Sequence, residues 1–301
     1  MRVALFQPNL SHYRIPVFDL LGMQPGIELR VYAGRMNKTI PGNKGGAGFE
    51  YLPTAIRQIR IKGHRLLFMQ KQVDVINQKT ADVVILPWDI HYLSLLPALA
   101  LARRRGGRIL LWGQGYSKQN NVFANGVREL LGRWSDGVIL YTRTVAQRLI
   151  NESGFPPEKV FVAQNALDQT PIQAARRKVL ADRQALNTFR ENLGLNPERT
   201  VLFVARLKPE NKIDMLFEGL QLLRREQPDA RLVIVGDGPE RHRLQTLANR
   251  MGEGDAIIFA GAIYEEEKLA PYMLSAAVFA FPKYIGLSLM HAFGYGLPVI
   301  T

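Results

Sequence analysis

Arg206 and Lys212 bracket a short loop, Arg206-Leu207-Lys208-Pro209-Glu210-Asn211-Lys212, that follows the apolar run Val201 to Ala205 and leads into an amphipathic stretch. A strand that ends in one cation and a helix that opens on another bring two positive charges and a helix N-terminus to the place where open α/β sheets bind ligands. Such a corner suits a diphosphate. Farther along, Phe281-Pro282-Lys283-Tyr284-Ile285 ends another strand and Gly286 starts the next helix, so the N–H groups of Gly286 and Leu287 are expected to face the same anion. The intervening Gly236-Asp237-Gly238-Pro239 has the composition of a turn and reads as architecture.

Two histidines occupy comparable positions in the first half. His12 lies behind the first apolar run, two residues before Arg14, in a polar loop of the kind that faces a sheet's switch point. It is a candidate for helping to deprotonate a substrate hydroxyl or for binding a substrate phosphate, with helix capping as the alternative. His91, preceded by Trp88-Asp89-Ile90, is a second candidate.

The elements that must position these residues are legible as rhythm. Val3 to Phe6, Val31 to Ala33, Val83 to Leu86, Ile109 to Trp112, Val138 to Tyr141 and Val160 to Ala163 are short apolar runs, most of them separated by helix-length segments. This is the βαβ alternation of a parallel sheet. It resumes with Val201 to Ala205, Leu232 to Val235, Ala256 to Phe259, Ala277 to Phe281 and Pro298 to Thr301. The expectation is α/β: two doubly wound Rossmann-like domains facing a cleft, with residues 1–170 as the first, 171–196 as linker and first helix, and 197–301 as the second. Arg35 to Gly48, rich in glycine and without period, is expected to be a mobile loop near the cleft. Ile56 to Lys62 alternates apolar and basic residues and suits an edge strand or surface segment.

Composition narrows the chemistry. The 301 residues include no cysteine, which excludes disulfides, thiolate metal sites and thiol nucleophiles. The longest apolar stretch, Tyr92 to Ala102, contains Pro97 and is shorter than the roughly 20 residues a spanning helix needs, so it reads as a buried helix. No signal-peptide pattern follows Met1, and a cytoplasmic location is expected. The net charge of +13 is uneven: residues 1–170 hold 22 Lys and Arg against 11 acids, the remainder 17 against 15. That asymmetry points either to an anionic surface met by the first domain or to a merely soluble basic face. Glu265-Glu266-Glu267 reads as a helix start and no metal site is expected.

In order along the chain, Arg206-Leu207 with Lys212, then Gly236-Asp237-Gly238-Pro239, then Pro282 with Gly286-Leu287-Ser288-Leu289 and Gly296-Leu297-Pro298-Val299-Ile300 resemble the C-terminal domain of the family 4 glycosyltransferases of the GT-B fold. The resemblance covers residues 200–301. A looser likeness to the polysaccharide-type members lies in Pro8 to Pro16, in Trp112-Gly113-Gln114-Gly115 and in Val162 to Asp168.

The resemblance implies that Arg206 and Lys212 bind the diphosphate of a sugar nucleotide and stabilise it as a leaving group, with main-chain donors from Gly286 and Leu287. It implies a metal-independent reaction that retains anomeric configuration, and no Asp-x-Asp pair is present. Acceptor contacts fall on His12, Arg14, Gln114 and His91, where Gln114 stands in place of a histidine of many relatives. The family pattern also has two glutamates, and the matching positions here are Lys283 and His291. His291 would hold the ribose hydroxyls and Lys283 would favour an acidic sugar or the diphosphate. Asn165 and Asp168 are expected to shape the exit from the first domain.

The function expected is transfer of a sugar from a nucleotide-diphosphate donor, with no separate cofactor, to a glycan or lipid-linked acceptor in cell-surface polysaccharide assembly at the inner membrane face. A degenerate GT-B scaffold, a sugar-nucleotide epimerase and a basic nucleic-acid binder are the competitors, and the last lacks an aromatic platform. Because the final strand signature has nothing after it, the chain is expected to be a fragment.

Overall fold

A computed structural model describes residues 1–34, 46–61, 64–116, 122–283 and 286–301. The chain divides into two compact units, Met1–Asn165 and Ala166–Thr301.

The first unit is built on a seven-stranded parallel sheet. Its strands are β1 (Arg2–Gln7), β2 (Glu28–Ala33), β3 (Glu50–Pro53), β6 (Val83–Pro87), β7 (Arg108–Gly113), β8 (Gly137–Leu140) and β9 (Val160–Val162), in the order β3-β2-β1-β6-β7-β8-β9. β1 is central and buried along Val3 to Gln7, which is why it reads as an unbroken apolar run. Helices α1 (Ile15–Gly22), α2 (Gln70–Asn77), α3 (Leu95–Arg105), α4 (Val122–Trp134) and α5 (Arg143–Ser153) connect the strands. In α3 the buried residues Leu95, Ala98, Leu99 and Ala102 fall on one helical stripe, while Leu96 on the other face is half exposed. Pro97 sits in its first turn, where a missing N–H costs nothing. Thr142 caps the N-terminus of α5 and Gly154, at φ 61°, ends it.

The alternating Ile56 to Lys62 stretch does not join the main sheet. β4 (Arg57–Ile61) pairs antiparallel with β5 (His64–Phe68) in a separate two-stranded ribbon, with Ile59 opposite Leu66. Lys62 lies outside the described residues. So do residues 35–45 of the glycine-rich loop. The end of that loop is anchored: Gly48 N–H donates to Asp19 of α1 at 2.8 Å.

The second unit begins with α6 (Gln169–Ala181) and α7 (Arg183–Leu193), capped by Asp168 and Asp182. Its sheet holds β10 (Thr200–Val204), β11 (Arg231–Val235), β12 (Ile257–Gly261), β13 (Val278–Ala280) and β14 (Val299–Ile300), all parallel, in the order β12-β11-β10-β13-β14. Helices α8 (Asp214–Glu226), α9 (Arg241–Arg250), α10 (Glu266–Leu274) and α11 (Ser288–Tyr295) complete it. Phe203, Phe217 and Phe279 are fully buried at its centre, each contributing about 1.5–3 kcal/mol of hydrophobic stabilisation. Phe189 of α7 packs edge-on against Tyr272 of α10 at 4.9 Å, which fastens the long helical entry to this unit. Among the described residues, no helix is long and apolar enough to cross a membrane.

Candidate functional site

Each sheet has one place where the direction of winding reverses. In the second unit the chain runs β10 to β11 to β12 on one side and returns to β13 on the other, so the reversal lies between β10 and β13. Loops after neighbouring parallel strands at such a point diverge and leave a crevice. Arg206 follows β10, and Lys283 and Gly286 follow β13. Phe203 and Phe281 stack at 5.1 Å across this pair of strands and hold the roots of both loops together.

The Arg206 loop is tightly tied down on its inner side. Leu207 is fully buried, its N–H donates to the Asp237 carbonyl, and its own carbonyl accepts from Glu240 N–H. Asn211 returns a side-chain hydrogen bond to the Arg206 carbonyl at 2.7 Å. With the backbone fastened, the Arg206 and Lys212 side chains are left exposed. A 3-10 turn over Pro209–Asn211 separates them, and Lys212 has φ 50°, two residues before α8 begins. Lys79 shares that backbone region, so the conformation alone does not mark function.

The turn Gly236-Asp237-Gly238 buttresses this loop. A Cβ on Gly236, which has φ 149°, would lie 1.9 Å from the Ala205 carbonyl oxygen, and one on Gly238 would lie 2.2 Å from that of Leu207. Both glycines are required by packing, as the turn reading expects. Gly286 differs: its φ is ordinary, and among the described residues nothing lies within 4 Å of a Cβ placed there. No side chain caps the N-terminus of α8 or α11. The second and third N–H groups of each helix close short backbone turns, Met215 and Leu216 onto the carbonyls of Lys212 and Ile213, Leu289 and Met290 onto those of Gly286 and Leu287.

α11 is clamped from the side by α6, whose Gln169 and Gln173 donate to the carbonyls of Met290 and Gly294. His291, on this helix, is partly buried and directs Nε2 to Glu266 at 3.1 Å. Tyr295 donates to the other oxygen of the same carboxylate at 2.8 Å. Glu266 was legible only as part of an acidic helix start; its flanking residues Glu265 and Glu267 pair with Lys268 and Lys178. Burial opposes ionisation of Glu266, yet the hydrogen bond and charge of His291, with the Tyr295 hydroxyl, outweigh it and hold the carboxyl below its usual range. Lys283 is exposed.

In the first unit the reversal lies between β1 and β6. His12 to Arg14 form a 3-10 turn after β1, although the His12 side chain is outside what is described. His91 follows β6, exposed, with Nδ1 at 2.6 Å from Asp89. Gln114 follows β7 and is exposed. Arg14 reaches across the strand ends to Gln7, Trp112 and Tyr141. That gathering was not visible in the sequence. Asp168 caps α6, a structural part in the chain's exit from the first unit.

Two doubly wound α/β units, the second with exposed cations at its switch point, define the GT-B fold class. Residues 186–301 match the family described as Glycosyl transferases group 1. A GDP-mannose-dependent alpha-(1-6)-phosphatidylinositol monomannoside mannosyltransferase of Mycolicibacterium smegmatis is 30% identical over 214 residues, 67% of this chain and 54% of that protein. The chain therefore spans about half the length of this relative. Among solved structures, Anabaena HepE in complex with UDP superimposes with a TM-score of 0.64 at 15% identity, covering 99% of this chain and 80% of that one. The UDP-GlcNAc 2-epimerase of Methanocaldococcus jannaschii gives a TM-score of 0.59 at 16% identity, covering 99% and 83%. The chain belongs to the family 4 glycosyltransferases.

Proposed function

We propose that the protein transfers a sugar from a nucleotide-diphosphate donor, bound by the second unit, to a glycan or lipid-linked acceptor handled by the first. One observation carries this reading: Arg206, Lys212 and the uncapped N-termini of α8 and α11 share the switch point between β10 and β13. In the reaction, the bond from C1 of the sugar to the diphosphate oxygen breaks while the acceptor oxygen bonds to C1. Negative charge grows on the departing diphosphate, where fixed cations and N–H groups stabilise the transition state more than the ground state. A front-face course, in which the leaving phosphate takes the acceptor proton, retains configuration and needs neither a protein nucleophile nor a metal.

Gly286 supports the same reading. Since neither backbone conformation nor packing against described residues demands glycine there, close approach of a diphosphate to the backbone is the remaining physical reason for it. His291, steadied by Glu266, is the group assigned to the ribose hydroxyls, and Lys283 to the sugar or diphosphate. On the acceptor side stand His12, Arg14, His91 and Gln114. The excess of positive charge in residues 1–170 and the exposed Val122 and Phe123 at the head of α4 support attachment to the cytoplasmic face of an anionic membrane.

Calorimetric titration with GDP and UDP tests the proposal. Micromolar binding of one of them is expected, weakened about 100-fold or more in Arg206→Ala and Lys212→Ala. Absence of binding by the folded protein would overturn the donor site and favour a scaffold role.

A further inference from the structure

Arg14 is half-buried, yet everything that holds it is neutral. Nη1 donates to Gln7 Oε1 at 2.8 Å, Nη2 to the Tyr141 hydroxyl at 2.5 Å and Nε to the Tyr13 hydroxyl at 3.4 Å. Its guanidinium carbon lies 5.0 Å from the centre of the Trp112 ring, 5.5 Å from that of Tyr141 and 5.7 Å from that of Tyr13. Among the described residues no carboxylate pairs with it.

Aromatic faces stabilise a partly desolvated cation, which offsets only part of what withdrawing a charge from water costs. Packing alone would be met by an apolar side chain. A guanidinium has five N–H groups, and three are engaged here, which leaves one each on Nη1 and Nη2. The phenols of Tyr13 and Tyr141 accept from Arg14, so their own O–H protons remain to be donated. Four donors, no competing acceptor charge and one fixed positive charge thus collect at the carboxyl end of β1, β7 and β8, beside the sheet's reversal point.

We propose that Arg14, with the hydroxyls of Tyr13 and Tyr141, is a binding site for an oxyanion carried by the acceptor, either a phosphate or a sugar carboxylate. The oxyanion site stands on the geometry of the first unit, and its assignment to the acceptor rests on the transferase reading given above. A planar fork receives two oxygens of one phosphate or carboxylate side by side, which an ammonium cannot match. Arg14 would then anchor the acceptor and orient its hydroxyl, a positioning part that leaves the donor corner untouched.

The test uses the full chain, nitrogen-15 labelled and saturated with whichever nucleotide binds, so that the Arg206 corner is already filled. The Arg14 Nε–H and Trp112 indole N–H resonances are followed while inorganic phosphate, glucuronate or neutral methyl glucoside is added at constant ionic strength. Saturable shifts of both resonances with one anion, none with the glycoside, and a loss of affinity of about tenfold or more in Arg14→Lys are expected. Saturation at lower concentration by phosphate would assign a phosphorylated acceptor; by glucuronate, an acidic sugar.

No saturable shift with either anion, or undiminished binding in Arg14→Lys, would overturn the site. Should Arg14→Lys fold poorly, Tyr141→Phe removes one partner and leaves the guanidinium, and it too must weaken the anion response. Nucleotide binding is scored in the same samples. Its absence together with an intact Arg14 response would sink the transferase reading and leave the oxyanion site standing.

Discussion

Glu266, from the first turn of α10, accepts a hydrogen bond from His291 Nε2 on α11 at 3.1 Å. A carboxylate only accepts, so this contact puts the proton on Nε2 and leaves Nδ1 as the free ring position unless the imidazole is doubly protonated. Position 291, where the family pattern has a glutamate, thus carries a histidine hydrogen-bonded to a carboxylate of the neighbouring helix. Glu266 thereby sets the tautomer of His291, which on the proposed reading is the one the ribose would meet.

Glu266 binds its proton more weakly in the folded chain than in the unfolded one. Its stabilisation is complete above the unfolded carboxyl value of about 4.3 and disappears as pH falls through the lower folded value. Glu266→Gln is expected to lose about 1–3 kcal/mol at neutral pH. Denaturant unfolding at several pH values checks this: the gap between wild type and variant should close on acidification below about pH 4.

Gly238→Ala places a methyl group against the Leu207 carbonyl. The Arg206 loop must shift to admit it, so a loss of about 1–3 kcal/mol is expected, together with weakened nucleotide binding. Unfolding and calorimetry on one preparation would show both losses; full nucleotide affinity in a destabilised variant would mean that the turn does not position Arg206.

Gly286→Ala should behave in the opposite way. With open space and an ordinary φ, its stability is expected within about 0.5 kcal/mol of wild type, whereas nucleotide affinity falls about tenfold or more because the methyl group stands where the diphosphate approaches. Retained affinity would remove Gly286 from the donor site.

Val122 and Phe123 are each 82% exposed, and replacing both with serine should leave stability unchanged. Sedimentation with anionic phospholipid vesicles should drop by about tenfold or more, since each buried apolar side chain contributes about 1.5–3 kcal/mol. The remaining binding should weaken with added salt if the basic residues contribute.

Much of the architecture was already present in the order of residues. Buried parallel strands must be apolar on both faces, so the runs from Val3 to Phe6 and from Leu232 to Val235 announced themselves. Arg206, Lys212 and Gly286 were readable because each follows such a run at a short, fixed distance, and the backbone turns that present them are local. The β4–β5 ribbon was half legible: alternation showed a strand, and only the fold decided that it pairs outside the main sheet.

The Arg14 cage and the Glu266–His291 pair were invisible in the sequence for a single reason. Arg14 and Tyr141 are separated by 127 residues, Glu266 and His291 by 25, and what joins them is the crossing order of strands and the packing of helices. The sequence by itself determined the strands, the turns that need glycine and the cations at strand ends, because these follow from local sterics and from which faces must be buried. Only the tertiary structure decided which distant side chains meet, because that depends on which strand ends lie together within a sheet and on which helices pack against each other.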